Sequence, residues 1–325
     1  MKASARLSAI TFDYSSWTML ILVWGLFAMI SDQFFTWNNL LNVAVQSSSI
    51  AIVATGMTFV LLAGGVDLSV GAVMFLSAAT AGKLATANVP FGWCVLAMLG
   101  VGLCIGMINA NIVTRLGVVT FVATLGTMYV GRGVGLWITE TRATPLPQSF
   151  LNFGSHRFLG LPLPILLAAA VIGVSQIILS YSSIGRHLIA LGHDRHAAEK
   201  AGIATDRILR WVFAIAGLLA SLGALVSLGQ IGTVSPTFGE NREFSAIAVA
   251  VIGGTSLFGG KGSIFPGVVI GALLLQSVES GLVMANADPY LYPIAISMII
   301  FAAVLLDGVR NSILAHRRRR PIFIG

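Results

Sequence analysis

The chain has 325 residues, of which 56% are hydrophobic and only 10% are charged. A soluble domain carries roughly 25% charged residues, so the composition excludes an ordinary soluble protein and indicates a polytopic membrane protein. The net charge of +7 could suggest a nucleic-acid partner. However, the basic residues occupy a few short loops and the tail, without a basic face interleaved with aromatic residues, so we expect no nucleic-acid binding.

The apolar segments predict an all-α fold. A helix needs about 20 apolar residues to cross a membrane. The first apolar run follows Lys2 and Arg6 without a clear cleavage site, which favours an uncleaved span over a signal peptide. We predict one membrane domain over residues 1–325 with about ten spans, at 15–31, 42–63, 70–86, 93–113, 118–138, 163–181, 211–229, 244–257, 265–284 and 291–306.

The loops predict the orientation of these spans. With the N-terminus inside, 14 of the 19 Lys and Arg residues lie in inner segments, including Arg317 to Arg320 in the short basic tail at 307–325. Because inner loops are enriched in Lys and Arg, this asymmetry favours ten spans with both termini cytoplasmic. The tail arginines would also contact anionic lipid. Cys94 and Cys104 both fall in one apolar run, so no disulfide or metal site is expected.

Two glycine-rich breaks, at 64–71 and 253–262, adjoin the third and the eighth predicted spans; the eighth span is short and the third is near the lower limit for crossing a membrane. Short, glycine-interrupted segments indicate a transport path. The first break contains Asp67, which could cap the next helix, form part of a gate, or do both. The loop charges place this break at the cytoplasmic end, which favours a hinge near an inner gate. The candidate path residues are Gly64, Gly65, Asp67, Ser69, Gly253, Gly254 and, from a polar cluster with Ser47 to Ser49, Gln46.

The longest polar inner loop covers residues 182–210 and contains a short predicted helix. Asp194 is suited to cap the start of that helix, and Gly202 is suited to end it. A structured loop on the cytoplasmic face is either a docking surface or an ordinary connector on the lipid headgroups. The sequence shows no nucleotide-binding loop, because Gly262 stands where a Ser or Thr should follow Lys261.

No constellation of catalytic residues appears in a polar context, and we predict that the chain is not an enzyme. His193 and His196 have a spacing that could bind metal, but solvated loop histidines are the favoured interpretation. Asp67 and Glu279 are the main carboxylates available for a proton or sodium relay. An ion-coupled secondary carrier for a small polar solute therefore remains an alternative, as does a purely structural scaffold.

The motifs resemble those of the ribose-type permeases of bacterial ATP-binding cassette (ABC) sugar importers. The most specific stretch is GGVDLSVG at Gly64–Gly71, and the resemblance extends over nearly the whole chain. It is also carried by FFTWNNL at 34–40, FVATL at 121–125, Gly131-Arg132-Gly133, Ala197-Ala198 with Gly202-Ile203, and IGGTSLFGGKG at 252–262.

The resemblance implies a type II-importer-like permease bundle in the bacterial inner membrane that translocates a monosaccharide. It implies a cytoplasmic ATP-binding subunit docked on the inner loop, a periplasmic sugar-binding protein outside, and a second permease copy or a paralogue. ATP and Mg would be bound by the partner subunit, so this chain should need no cofactor. The implied coupling residues are Gly192, Ala197, Ala198, Gly202 and Ile203.

Arg132 and Glu243 are candidates for an outer gate or a contact with the binding protein. The alternative for Arg132 is a structural ion pair with Glu140 or Glu243. The chain departs from the family pattern at Gly192-His193-Asp194, at Ser245 and near Glu279. These departures could reflect a different sugar or a different ATPase partner, and the sequence does not identify either.

Overall fold

The computed structural model describes residues 15–288, 290–298, 301 and 305, and the predicted basic tail at 307–325 lies outside them. The described chain is a bundle of helices with four two-residue strands. The helices are α1 (Ser15–Ile30), α2 (Trp37–Leu62), α3 (Val70–Thr86), α4 (Phe91–Arg115), α5 (Thr120–Thr139), α6 (Gln148–Ser155), α7 (Leu163–Tyr181), α8 (Ser183–His193), α9 (Arg195–Lys200), α10 (Thr205–Ile231), α11 (Arg242–Ile252) and α12 (Gly267–Met284). The strands are β1 (Thr144–Pro145), β2 (Arg157–Phe158), β3 (Leu161–Pro162) and β4 (Thr233–Val234).

A helix lies at each of the first nine predicted spans, and residues 291–298 of the tenth are also helical. Five of the described helices, α2, α4, α7, α10 and α12, are long and apolar enough to cross a membrane. The apolar helices α1 and α3 are shorter. The eighth predicted span, 244–257, was too long, because α11 already ends at Ile252. Two residues later Gly254 adopts a φ of +93°, which a helix cannot accommodate.

The helices α2 and α10 form the centre of the bundle. In their most apolar windows 89% and 78% of residues are buried, against 22% for α4. Small residues allow close approach between α10 and α4, since a Cβ added at Gly102 or Gly106 would overlap backbone atoms of α10. Gly102 and Gly106 are therefore positions at which two helices pack closely.

The two ends of the bundle differ in structure. One end carries α8 and α9. The other carries α6 and two short antiparallel ladders, β1 with β4 and β2 with β3. We call these the α8–α9 end and the strand end.

The loop that follows β4 descends from the strand end into the bundle along α3. At its beginning Val234 lies beside Gly82, and further along Gly239 lies beside Gly71. Because a helix rises 1.5 Å per residue, these two contact points on α3 are about 16 Å apart. The short helix α11 starts only after this descent, which explains why 11 residues suffice for it to reach the α8–α9 end.

Candidate functional site

Asp67 is buried, with 1% of its surface exposed, in the break between α2 and α3. Its Oδ1 accepts hydrogen bonds from the backbone N–H of Ser69 at 2.8 Å and from the Ser69 hydroxyl at 2.6 Å. The N-cap residue of α3 is Ser69 itself, so the bonds of Asp67 reach the residue before the helix and not its first turn. Asp67 therefore stabilises a tight turn that leads into α3. The alternative that Asp67 caps α3 by accepting N–H bonds from its first turn was wrong.

A chain of hydrogen-bonded side chains links this turn to two neighbouring helices. The Ser69 hydroxyl accepts a hydrogen bond from Asn109 Nδ2 of α4 at 2.8 Å, and Asn109 Oδ1 accepts one from the Thr127 hydroxyl of α5 at 2.7 Å. Sequence reasoning missed Asn109 and Thr127, although an asparagine inside an apolar span is itself a signal of interhelical hydrogen bonding. The start of α3 is thereby tied to both α4 and α5.

Threonines of α5 satisfy the backbone of the same break. The N–H of Val66 donates to Thr120 Oγ1 at 3.4 Å, the N–H of Leu68 donates to Thr124 Oγ1 at 3.1 Å, and that hydroxyl also donates to the Val66 carbonyl. A non-helical segment inside a membrane protein requires such partners, because lipid offers none. The break is thus a structured element of the bundle.

The break runs from the α8–α9 end into the bundle. Gly64 lies near Gly259 at the α8–α9 end, whereas Gly71 contacts Gly239 of the loop that descends from the strand end. A Cβ added at Gly71 would overlap the Gly239 carbonyl oxygen and the Glu243 carboxylate. The descending loop therefore meets the first turn of α3, where the break ends, beside the 7%-exposed Glu243.

Arg132 of α5 holds the descending loop in place. Its Nη1 donates to the Phe238 carbonyl oxygen at 2.6 Å, and its guanidinium carbon lies 5.0 Å from the centre of the Phe75 ring. The expected structural ion pair with Glu140 or Glu243 was wrong, since both ion pairs found among the described residues involve Arg195. A backbone carbonyl takes the place of the carboxylate.

The second glycine break meets the first one at the α8–α9 end, together with the end of α8. The N–H of Gly260 donates to the Leu62 carbonyl oxygen at 3.0 Å. A Cβ added at Gly259 would lie 2.6 Å from the Gly192 carbonyl oxygen and 2.9 Å from Gly64 Cα. We call Gly64, Gly192, Gly259 and Gly260 the glycine junction.

No side chain fits between the three segments of the glycine junction. A Cβ added at Gly192, in the last turn of α8, would overlap both the Leu62 carbonyl oxygen and the Gly260 nitrogen. The structure thus brings together the predicted coupling residue Gly192 and the predicted path residue Gly64. Of the other predicted path glycines, Gly65 packs on Thr120 and Gly253 packs on the backbone of Gly267.

The predicted helix in the loop at 182–210 is present as α9, preceded by α8. Asp194 caps α9 by accepting a hydrogen bond from the Ala197 N–H at 3.0 Å, and Gly202 ends it with a φ of +79°, as the sequence predicted. Within α9, Ala197 is exposed and Ala198 is buried, and the Ala198 carbonyl accepts a hydrogen bond from the Ile203 N–H. Ala198 therefore lies on the inner face of α9, while Ala197 lies on its outer face.

Charged groups attach α9 to the start of α10. Arg195 forms ion pairs with Glu199 at 2.9 Å and with Asp206 at 3.0 Å, and the Thr205 hydroxyl donates to Glu199 at 2.9 Å. The hydrogen bonds from Arg195 and Thr205 hold the pKa of the Glu199 carboxyl below its usual range. The segment from α8 to α10 is therefore a connected unit on the surface of the bundle.

The residues of the polar cluster in α2, Gln46 and Ser47 to Ser49, differ in their exposure. Ser47, Ser48 and Ser49 are buried and donate to backbone carbonyls, whereas Gln46 is exposed and accepts a hydrogen bond from Gln276 of α12 at 2.9 Å. Only Gln46 keeps the exposed position that a path residue needs. Among the described residues, no group of three or more His, Cys, Asp and Glu side chains could hold a metal ion.

The fold and this site define a class of protein. A bundle of apolar helices whose interior contains two broken segments, and whose broken segments contact a structured polar loop, is typical of a membrane transport permease. A family model described as "Branched-chain amino acid transport system / permease component" matches residues 39–306. The chain belongs to this permease family.

The chain is similar over most of its length to sugar import permeases. It is 36% identical to the ribose import permease protein of Haemophilus influenzae (91% of this chain, 93% of that protein) and 36% identical to that of Escherichia coli K12 (92% and 94%). It is 35% identical to the D-allose transport system permease protein of E. coli K12 (90% and 91%). No solved structure matches the chain.

These similarities identify a ribose-type permease of the sugar ABC importer family. Since the chain belongs to a family of import permeases and has five helices able to span a bilayer, it is an integral protein of the bacterial inner membrane. The resemblance inferred from the GGVDLSVG stretch is thereby confirmed.

Proposed function

We propose that the chain is the permease subunit of an ABC importer that translocates a monosaccharide, with ATP hydrolysed on a separate cytoplasmic subunit. In this proposal ten helices span the inner membrane, both termini are cytoplasmic, and the permease pairs with a second copy or a paralogue. A periplasmic binding protein delivers the sugar. ATP and Mg belong to the partner, so this chain needs no cofactor and is not an enzyme.

The observation that supports this most strongly is the glycine junction. The end of α8 contacts both glycine breaks through backbone atoms, so a movement of the segment 182–210 displaces the two breaks with it. A partner that binds α8 and α9 could therefore move the interior of the bundle without any nucleotide site in this chain. An ion-coupled carrier has no need for such a connection to a surface loop.

The contact between Gly71 and Gly239 supports a proposed barrier within the path. It joins the segment that rises from the α8–α9 end to the loop that descends from the strand end. Arg132, which holds that loop, and Glu243, which lies at the contact, remain our candidates for the outer gate. Neither Gly71 nor Gly239 carries a side chain at this contact, so small shifts of either segment could open it.

The substrate is proposed from the relatives together with the polar groups of the chain. The relatives are described as permeases for ribose and D-allose, both neutral monosaccharides. The departures at Ser245 and Glu279 leave room for a different sugar of the same class. A small polar molecule without charge suits a path whose exposed candidate side chain is the neutral amide of Gln46.

Docking of the ATP-binding subunit can be tested at Ala197, which is exposed on α9. When the chain is produced with its cognate ATP-binding subunit and purified in mild detergent, the two should co-purify in stoichiometric amounts. Ala197→Arg should lower the bound subunit at least fivefold, because a long charged side chain would separate the two surfaces. His156→Arg, at the exposed strand end, should leave binding intact. Equal binding by wild type and Ala197→Arg would show that α9 is not part of the docking surface.

A further inference from the structure

The first part of α2 presents a stripe of uncharged amide side chains on its exposed surface. Asn38, Asn42 and Gln46 follow one another at intervals of four residues, and all three are exposed. Positions four apart lie on one face of a helix, so the three amides form a single line. With a rise of 1.5 Å per residue, this line is about 12 Å long. We call these residues the amide ladder.

The amide ladder begins at the strand end and stops inside the bundle. The opposite end of α2, Leu62, belongs to the α8–α9 end, where its carbonyl accepts from Gly260. From Ser47 to Leu62 every residue of α2 is buried. Gln46 is therefore the last exposed position before the helix enters the core.

The exposed residues of the amide ladder are polar, whereas those of α4 are apolar. On α4 the exposed positions include Trp93, Leu96, Leu103 and Met107, which suit contact with lipid. A primary amide in hydrocarbon loses its hydrogen bonds to water, and that loss is costly. Asn38 and Asn42 make no hydrogen bond from their side chains to any residue in the described part of the chain, so no described residue offsets the loss.

From this contrast we infer that the amide ladder lines a water-filled entrance to the translocation path and binds the hydroxyl groups of the incoming sugar. A side-chain amide offers both donors and an acceptor, which matches sugar hydroxyls that do the same. The absence of charge within the ladder suits a neutral solute. The inference rests on the proposed function and adds to it the residues that receive the sugar.

Water access can be tested independently of the sugar. In a Cys104→Ser background, which removes the exposed native thiol, Asn42→Cys and Gln46→Cys are each treated with a membrane-impermeant methanethiosulfonate reagent in membranes that contain the partner subunits. Ser48→Cys, buried on the same helix, and Leu96→Cys, on the apolar face of α4, are the controls. We expect both ladder positions to react at least tenfold faster than both controls. Reaction no faster than at Leu96→Cys would overturn the inference.

Sugar contact can be tested with Asn42, because its side chain has no hydrogen-bond partner among the described residues. Asn42→Leu keeps the size of the side chain and removes its hydrogen bonds, whereas Asn42→Gln restores the amide. Uptake of D-ribose or D-allose per assembled complex, measured well below the half-saturating sugar concentration, should fall at least fivefold in Asn42→Leu and recover in Asn42→Gln. Normal uptake by Asn42→Leu would overturn the role in sugar binding.

The two tests also separate this inference from the proposed function. If the wild-type complex transports neither D-ribose nor D-allose, its substrate is another solute. The labelling of Asn42→Cys and Gln46→Cys still decides whether the amide ladder is lined by water. Fast labelling would support a water-filled entrance that admits another neutral solute. Slow labelling would contradict a water-filled entrance at the amide ladder.

Discussion

At the scale of single residues, Asp67 acts through the partner it orients. Its carboxyl group fixes Ser69, and Ser69 receives the hydrogen bond from Asn109 that continues to Thr127. Removing one member of a buried hydrogen-bonded chain leaves the others unsatisfied, which costs about 1–3 kcal/mol per group. The residue therefore has a structural role whether or not its charge also serves transport.

Two substitutions of Asp67 separate these roles. Asp67→Asn keeps an oxygen that accepts from Ser69, so the protein in detergent should unfold at close to the wild-type temperature. Asp67→Ala removes the acceptor and should lower the free energy of unfolding by about 1–3 kcal/mol. We expect both variants to impair uptake, because the turn is part of the break at 64–71 that belongs to the proposed path. Wild-type uptake per folded molecule in Asp67→Ala would show that the residue only shapes the turn.

At the scale of elements, the glycine junction connects α8 with both breaks. The contacts are between backbone atoms, so they transmit displacement directly and tolerate no added volume. The segment from α8 to α10 is stiffened by the Asp194 cap and by the ion pairs of Arg195. A force applied to the surface of α9 would thus reach Gly64 and Gly260 with little lost to local bending.

Gly192→Ala tests this connection. The added Cβ must displace the Leu62 carbonyl or Gly260, so we expect uptake to fall at least tenfold and the stimulation of ATP hydrolysis by the loaded binding protein to be lost. Gly100→Ala is the matched control, because a Cβ added there, on α4, contacts nothing within 4 Å. Coupled transport at the wild-type rate in Gly192→Ala would exclude the junction as the point of transmission.

Sequence patterns predicted the elements better than the contacts between them. The apolar runs located α1 to α5 closely, and the Asp194 and Gly202 signals located α9, because hydropathy and capping are local properties. The descent of residues 235–241 along α3 was not predictable, since it depends on Gly239 meeting Gly71 far away in sequence. The partner of Arg132 was missed for the same reason, because no pattern marks the Phe238 carbonyl as an acceptor.

At the scale of the whole molecule, two irregular segments enter the bundle from opposite ends and meet at Gly71 and Gly239. One segment is connected to the surface loop through the glycine junction, and the other is held by Arg132. A transporter must open to one side at a time, and this arrangement places a separate segment on each side. In our proposal the energy for that movement comes from the partner that docks on α8 and α9.

Uptake into proteoliposomes tests this central claim most directly. Liposomes containing the chain and its cognate ATP-binding subunit, supplied with the loaded binding protein, should accumulate sugar only when ATP is present on the side of the ATP-binding subunit. The chain alone should accumulate none when a proton or sodium gradient is imposed. Accumulation by the chain alone in such a gradient, without ATP or partners, would contradict the account and identify an ion-coupled carrier.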